Sequence, residues 1–118
     1  MSTFFYPITL VSDNGQTQTI EALVDTGSSF TTIAGETLTR LGVKPFARVR
    51  LRLANGQRTE NDLGEIGARI DDWAERTIIC AFGEPSAPPI IGAHTLEAFL
   101  LAVDSDGHRL LPVDGWLA

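Results

Sequence analysis

A strict alternation of apolar and charged residues constrains the fold of this chain more than any other feature. From residue 48 to residue 53, arginine alternates with valine or leucine, which gives one apolar and one charged face at the two-residue period of a strand. Asn55-Gly56 follows and predicts a type I′ turn, so that residues 57–63 return as the second strand of a hairpin. The charged face, formed by Arg48, Arg50 and Arg52, is typical of a strand face that is exposed to solvent. The same face is also suited to attract an acidic peptide.

Short strand patterns between turn signals occupy most of the remaining chain. We predict strands at residues 4–11, 17–24, 66–70, 76–82 and 109–113, and a loop at residues 83–89, which contain three prolines. One short helix is predicted from Glu36 to Leu41, ending at Gly42. A second follows Gly92, because four apolar residues recur there at helical spacing: Leu96, Phe99, Leu100 and Val103. The predicted fold class is mainly β with one or two short helices.

Composition limits the classes of partner and compartment. With 118 residues, 43% of them hydrophobic, the chain is predicted to form a single domain over residues 1–118. A net charge of -6 without a basic run argues against nucleic acid or a membrane surface as the partner. The one cysteine, Cys80, lies in the apolar run TIICAF and is predicted to be a buried structural thiol. Since no apolar run approaches the roughly 20 residues of a membrane span, we expect a soluble, cytoplasmic protein.

The stretch ALVDTGSSFTTI, residues 22–33, contains the one Asp-Thr-Gly triplet of the chain. Two apolar residues before Asp25 predict a strand that anchors it, and Gly27 allows close approach of the backbone. Ser28 and Ser29 can donate hydrogen bonds to the Asp25 carboxylate. The same residue types are favoured in turns, so a plain turn is the alternative interpretation of the triplet taken alone.

The context of the triplet favours a catalytic role over a plain turn. Ile90-Ile91-Gly92 and a short amphipathic helix follow downstream, and the Asn-Gly hairpin lies between them and the triplet. This arrangement resembles the retropepsin-like aspartic proteases over about residues 17–113, and the ending AVDSDGHRLLPVDGWL is most similar to their small prokaryotic branch. The resemblance implies a closed-barrel-like retropepsin fold that acts as a dimer. It implies no metal and no organic cofactor.

Residue roles follow from the resemblance position by position. Asp25 is then the catalytic residue, Thr26 makes a hydroxyl contact across the dimer, and Gly27 binds the substrate backbone. Three further sets are implied: Ser28 and Ser29 in the active-site loop, Ile90, Ile91 and Gly92 as its support, and Ala54, Asn55, Gly56 and Gln57 as the tip of a flap. Because peptide hydrolysis by carboxylates needs two of them sharing one proton, the single triplet predicts a C2 homodimer that cleaves a peptide or protein substrate.

Alternatives remain for function and for several side chains. The strongest is a catalytically silent dimeric scaffold that binds a peptide in the same cleft. A metal-dependent hydrolase is more remote, since Asp104, Asp106 and His108 begin like a calcium loop but lack the downstream glutamate. Trp73 is expected either in the core or against the flap. The apolar tail forms either an interface or intrachain contacts, and comprises Leu110, Leu111, Val113, Trp116 and Leu117.

Overall fold

The computed structural model describes residues 3–53 and 55–113, and in these residues it shows nine strands and two short helices. The strands are β1 (Phe5–Val11), β2 (Thr17–Val24), β3 (Thr31–Ala34), β4 (Ala47–Arg52), β5 (Arg58–Arg69), β6 (Arg76–Gly83), β7 (Ile90–Ile91), β8 (Leu101–Asp104) and β9 (Arg109–Pro112). The helices are α1 (Gly35–Arg40) and α2 (Ala93–Ala98). The predicted mainly β fold class is confirmed. No helix of the described residues is long and apolar enough to cross a membrane.

Pairing between β1 and β5 closes the main sheet into a barrel. Seven strands follow one another in the order β1-β2-β7-β3-β6-β5-β4, and β1 also pairs with β5 from Thr9↔Arg69 to Val11↔Gly67. Six strands thus form a closed ring. β4 lies outside the ring and pairs with β5, so that the β4–β5 hairpin projects from the barrel. The predicted closed-barrel-like architecture is confirmed.

The core fills the inside of this ring with aliphatic side chains. Its largest side chains that are almost fully removed from solvent include Ile8, Leu10, Ile33, Leu38, Ile70 and Ile91. Each such burial stabilises the fold by about 1.5–3 kcal/mol relative to an exposed side chain. Cys80 lies among them as a free thiol with no exposed surface, and burial raises its pKa to about 12. The thiol is therefore unreactive at neutral pH, in agreement with the predicted structural role.

The β1–β2 loop closes through a compact set of hydrogen bonds. The N–H of Gly15 donates to the Ser12 carbonyl (3.0 Å), and the N–H of Ser12 donates to the Gln16 carbonyl (2.8 Å). The N–H of Gln16 donates to Oδ1 of Asn14 at 3.1 Å. Gly15 has a φ of 87°, in the left-handed region that favours glycine.

The β4–β5 loop repeats the three hydrogen bonds given above for the β1–β2 loop. Gly56 donates to the Leu53 carbonyl (2.9 Å), Leu53 donates to the Gln57 carbonyl (2.7 Å), and the N–H of Gln57 donates to Oδ1 of Asn55 (2.9 Å). The predicted type I′ turn with Asn55 and Gly56 at its centre is wrong, because the N–H of Gly56 donates to the Leu53 carbonyl and Gly56, with a φ of 87°, therefore follows the centre of the turn. The strands pair only as far as Arg52↔Arg58, which leaves a loop longer than a two-residue turn. Ala54 lies outside the described residues.

The second helix is shorter than its apolar spacing predicts. α2 ends at Ala98, Leu100 has a φ of 54°, and Leu101 begins the strand β8. Leu96 and Phe99 are buried as expected, but Leu100 is 51% exposed. The prediction of a helix as far as Val103 is therefore wrong, because the same spacing is satisfied by one helical turn, a left-handed residue and a strand. The first helix agrees with prediction to within one residue at each end.

The C-terminal strands form a separate two-stranded sheet beside the barrel. β8 pairs with β9 from Leu101↔Pro112 to Asp104↔Arg109. Leu110 is buried, whereas Leu111 and Val113 are 39% and 44% exposed. The ring of His108 stacks on Phe4 at 5.2 Å, which ties this hairpin to the N-terminal segment, and the N–H of Val113 donates to the Leu100 carbonyl, which extends the hairpin by one more pair. Trp116 and Leu117 lie outside the described residues.

Trp73 lies in the turn between β5 and β6, at the end of β5 that is remote from the β4–β5 hairpin. It is 39% exposed and lines an open cleft of about 530 Å³ with Asp71, Asp72 and Leu110. Both predicted positions of Trp73, in the core and against the hairpin, are therefore wrong. In the same turn Asp71 accepts a hydrogen bond from the Tyr6 hydroxyl at 2.6 Å, which ties β1 to this end of the barrel.

Candidate active site

Asp25 follows directly after β2 and is fixed by backbone hydrogen bonds to two other segments. Its N–H donates to the Ile91 carbonyl at 3.0 Å. The N–H of the preceding residue, Val24, donates to the Phe4 carbonyl at 2.9 Å. Strand β2 thus carries Asp25 to the end of the sheet, between the N-terminal segment and β7, where its side chain is half-buried.

The carboxylate of Asp25 receives a hydrogen bond from its own loop. The N–H of Gly27 donates to Oδ1 of Asp25 at 2.9 Å, and the N–H of Ser28 donates to the Asp25 carbonyl at 3.1 Å. A Cβ at position 27 would lie only 3.2 Å from Oδ1, closer than most side chains tolerate. A backbone donor aimed at a carboxylate fixes its orientation.

The hydroxyl of Ser28 has a different partner from the predicted one. It donates to the Phe30 carbonyl at 3.1 Å. Since a hydroxyl has one proton, Ser28 does not donate to Asp25 in this structure, and the backbone of Gly27 takes the role expected of the serine. Thr26 and Ser29 are exposed in the same loop.

The start of α2 supports the loop from the side of the core. The N–H of Ala93 donates to the Ser28 carbonyl at 2.7 Å, and that of His94 donates to the Ser29 carbonyl at 3.0 Å. A Cβ at Gly92 would lie 2.5 Å from the backbone of Phe30, so glycine is required for this contact. The structure thus places Ile91 and Gly92 beside the Asp25 loop, with Ile90 next to them in β7.

Two buried threonines connect these segments and were not found by sequence reasoning. Oγ1 of Thr31 lies 2.6 Å from Oγ1 of Thr95 and also accepts the N–H of Gly92 at 3.1 Å. Both side chains are almost completely buried, at 0% and 1% exposure. The Thr31 hydroxyl therefore joins β3 to α2 and to Gly92, the residue that links β7 to α2. The only signal in the sequence near Thr31 was a polar residue between apolar ones in FTTI, and this does not identify Thr95 as its partner.

The described residues of the predicted flap, Asn55, Gly56 and Gln57, lie together in the β4–β5 loop. The hydrogen bonds of Asn55, Gly56 and Gln57 given above run within that loop, and the Asn55 side chain also donates to Oε1 of Gln57 at 3.2 Å. The apolar face of β4, with Ala47, Val49 and Leu51, is half-buried. The hairpin thus has a compact tip and an apolar inner face.

The acidic turn at the C-terminal hairpin is occupied by internal contacts. Oδ2 of Asp104 accepts from Nε of Arg109 at 2.9 Å, and Oδ1 accepts the N–H of Gly107 at 3.1 Å. The hydrogen bond from Arg109 is the main reason why the pKa of Asp104 is lowered. Within residues 3–53 and 55–113, no three His, Cys, Asp or Glu side chains are placed to hold a metal ion.

Comparison with known proteins gives the family of the chain. A family model described as aspartyl protease matches residues 8–95, which include Asp25 and Ile90–Gly92. The chain belongs to the aspartyl protease family. No curated protein sequence shows significant similarity to it.

Two solved structures have a fold similar to that of this chain. The retroviral protease-like domain of Ddi1 from Leishmania major matches with a TM-score of 0.60 and 15% identity, over 95% of this chain and 89% of that one. A retropepsin-like aspartic protease from Rickettsia conorii matches with a TM-score of 0.55 and 21% identity, over 89% of both chains. At these identities the likeness shows the fold, which is that of a retropepsin-like protease.

Proposed function

We propose that this aspartyl protease family member is a homodimeric endopeptidase in which the two copies of Asp25 form the catalytic pair. The observation that carries the proposal is the fixed carboxylate at the end of β2, held by the N–H of Gly27 at 2.9 Å. One carboxylate accepts a proton from water as the water attacks the peptide carbonyl. The other donates a proton to the carbonyl oxygen.

A second copy of the chain is required because each chain contributes one such aspartate. A C2 axis beside the loop brings the two copies of Asp25 together, with Thr26 making the contact across the axis. The exposed apolar side chains Leu100, Leu111 and Val113 lie on the C-terminal hairpin and its junction with α2. We assign the dimer interface to this surface, since interface cores are more apolar than the remaining protein surface.

The β4–β5 hairpin is proposed to act as the flap over the substrate. Its inner face is apolar and half-buried, and its tip from Asn55 to Gln57 is closed by its own hydrogen bonds. Such a lid excludes water from the reacting carbonyl and opens for product release. Gly27, Ser28 and Ser29 lie where the substrate backbone would pass beside Asp25.

Digestion of a diverse peptide mixture, followed by mass spectrometry, tests the proposal. The wild-type protein should cleave peptides with or without a chelator, and Asp25→Asn should cleave none. If neither protein cleaves but both bind peptides, the chain is a silent scaffold. Cleavage that a chelator abolishes would instead indicate a metal-dependent hydrolase.

Sedimentation tests the dimer separately. The wild-type protein should sediment as a dimer that dissociates on dilution, and activity per chain should fall in parallel. Leu111→Glu combined with Val113→Glu should yield monomers without activity. Phe46→Glu, a change at an apolar residue outside this surface that is even more exposed, should leave the dimer intact. An active monomer would overturn the paired-carboxylate mechanism.

A further inference from the structure

The outer face of the β4–β5 hairpin carries six charged side chains in three cross-strand pairs. The register pairs Arg48 with Asp62, Arg50 with Glu60, and Arg52 with Arg58, and residues directly opposite in a sheet share one face. The alternating exposure of β4 places these side chains on the face opposite to its half-buried apolar residues. The charged side chains of this hairpin are therefore exposed to solvent.

The two acidic residues of this face are both drawn to the same arginine. Arg48 lies 3.0 Å from Asp62 and 3.6 Å from Glu60, although Glu60 is directly opposite Arg50. No ion pair joins Arg50, Arg52 or Arg58 to an acidic side chain in the part of the chain that the structure describes. Four arginines against two acidic residues leave this face with a net positive charge, and the three arginines outside the ion pairs above, Arg50, Arg52 and Arg58, lie in its outer half.

The arrangement of these three arginines is unfavourable for the hairpin alone. Arg52 and Arg58 are directly opposite each other in the last pair before the loop, and like charges in that position destabilise a strand pair. The chain as a whole carries a net charge of -6, so the basic hairpin contrasts with an acidic protein. An anionic ligand at this position would relieve the repulsion.

We propose that Arg50, Arg52 and Arg58 bind an acidic stretch of the substrate that flanks the bond to be cleaved. The proposal rests on the proposed role of the hairpin as a flap. Its apolar inner face covers the centre of the substrate, so the arginines on the outer face reach residues that emerge from beneath the flap. Arginine suits this role because its planar guanidinium binds carboxylates through paired hydrogen bonds.

An acidic peptide fits this surface better than a nucleic acid does. Three arginines on one hairpin of a protein with a net charge of -6 provide little of the extended basic surface that a phosphate backbone requires. A peptide needs only a few carboxylates to neutralise the cluster. The proposed substrate therefore has an apolar segment at the cleavage point and Asp or Glu residues beside it.

The test uses two peptides that share one apolar core, flanked by glutamates in the first and by glutamines in the second. The core is taken from a sequence that the wild-type protein cleaves. The triple variant R50Q/R52Q/R58Q is compared with the control R40Q/R69Q/R76Q, which changes net charge equally but at sites outside residues 47–63, where β4 and β5 pair. At about 10 mM salt, the hairpin variant should raise KM for the acidic peptide about fivefold to tenfold, with kcat unchanged. The control variant should leave KM within about twofold of wild type.

Several results would overturn the proposal. The first is an equal KM of the wild-type protein for the two peptides, and the second is an equal rise in KM in the control variant. The third is a difference in KM between the acidic and the glutamine peptide that persists undiminished at about 500 mM salt, where the Debye length is only a few ångströms. Displacement of the acidic peptide by a low concentration of duplex DNA would assign the surface to nucleic acid.

A binding measurement separates this proposal from the proposed catalytic activity. Fluorescence anisotropy of the labelled acidic peptide is measured with Asp25→Asn, with and without the three hairpin substitutions. If no peptide is cleaved by the wild-type protein, an apolar leucine-rich core is used in both peptides. Tighter binding of the acidic peptide, lost with R50Q/R52Q/R58Q, supports the arginine site even in a silent scaffold. Equal binding of both peptides contradicts it, whatever the outcome for catalysis.

Discussion

The hydroxyl oxygens of Thr31 and Thr95 lie 2.6 Å apart in the interior, directly behind the loop that carries Asp25. Because Thr31 also accepts the N–H of Gly92, loss of its hydroxyl leaves a buried donor unsatisfied. Thr31→Val should therefore lower the free energy of unfolding by about 1–3 kcal/mol. Urea denaturation of both proteins at the same protein concentration measures this loss.

An exposed threonine pair provides the control for this prediction. Oγ1 of Thr9 and Oγ1 of Thr19 lie 2.8 Å apart across β1 and β2, in contact with solvent. Thr9→Val should change the free energy of unfolding by less than about 0.5 kcal/mol. Thr31→Val and Thr95→Val together should cost less than the sum of the two single changes, since they share one interaction. Strict additivity would show that the buried pair is not coupled.

Gly92→Ala should distort the active-site loop. The added Cβ would lie 2.5 Å from the Phe30 backbone and 2.8 Å from the Ser28 carbonyl, so the loop must shift. We expect a loss of about 1–3 kcal/mol in stability and a fall in kcat of up to about 100-fold, because Asp25 would move with the loop. Gly35→Ala is the matched control, since its Cβ would meet Phe82 at an ordinary 3.4 Å. Comparable kcat values for the two variants would contradict the prediction.

The β1–β2 and β4–β5 loops share three hydrogen bonds, so the same substitution in each loop distinguishes an effect on the flap from an effect on stability. Gly15 and Gly56 both have a φ of 87°, so replacement of either by valine should cost about 1–2 kcal/mol in backbone strain. Only Gly56→Val should slow peptide cleavage by more than its loss of stability explains, because only the β4–β5 hairpin is proposed to move over the substrate. If Gly15→Val slowed cleavage equally, the flap assignment would fail.

The shared proton of the proposed catalytic pair predicts a bell-shaped pH profile. Two carboxylates that face each other are active only while they hold one proton between them. Peptide cleavage should therefore fall at acid pH, when the pair gains a second proton, and at alkaline pH, when it loses both. Asp25→Asn should remain dimeric and inactive at every pH. A rate that continues to rise into the alkaline range would place the chemistry elsewhere.

Tyr6 provides a spectroscopic prediction, because it is the single tyrosine of the chain. Its hydrogen bond to Asp71, followed by burial and the charge of that carboxylate, raises the pKa of Tyr6 to about 12. The unfolded chain releases this proton near pH 10.0 and the folded chain near 12, so the contribution of Tyr6 to stability is lost between these values as pH rises. Ultraviolet titration should show the shift, and Asp71→Asn should reduce it. Asp72→Asn, the neighbouring change, should have little effect.

The parts of the site that were predictable lie close together in the sequence. The turn that holds Asp25 and Gly27 at the end of β2 was predictable because a strand, a carboxylate and a glycine follow one another within a few residues. The faces of β4 were found because strand alternation is strictly local, and the observed exposure follows it. In both cases the residues that determine the structure are sequence neighbours.

The parts that were missed depend on distant contacts. The Thr31–Thr95 pair joins residues 64 positions apart, and nothing in either neighbourhood identifies the other. The second helix was extended too far because Leu100 takes a positive φ that apolar spacing does not encode. Trp73 was misplaced because its exposure depends on how the turn after β5 faces the C-terminal hairpin.

The β1–β5 pairing that closes the barrel also has a consequence for folding kinetics. Thr9 meets Arg69 only after both hairpins and the chain between them have been brought into register. Such a long loop is entropically costly to close, and folds dominated by distant pairings form slowly. We expect ring closure to limit the rate of folding. A Cβ at Gly67 would lie 3.0 Å from the Val11 carbonyl and 2.9 Å from the Glu75 carboxylate, so Gly67→Ala should slow refolding more than it accelerates unfolding in stopped-flow measurements.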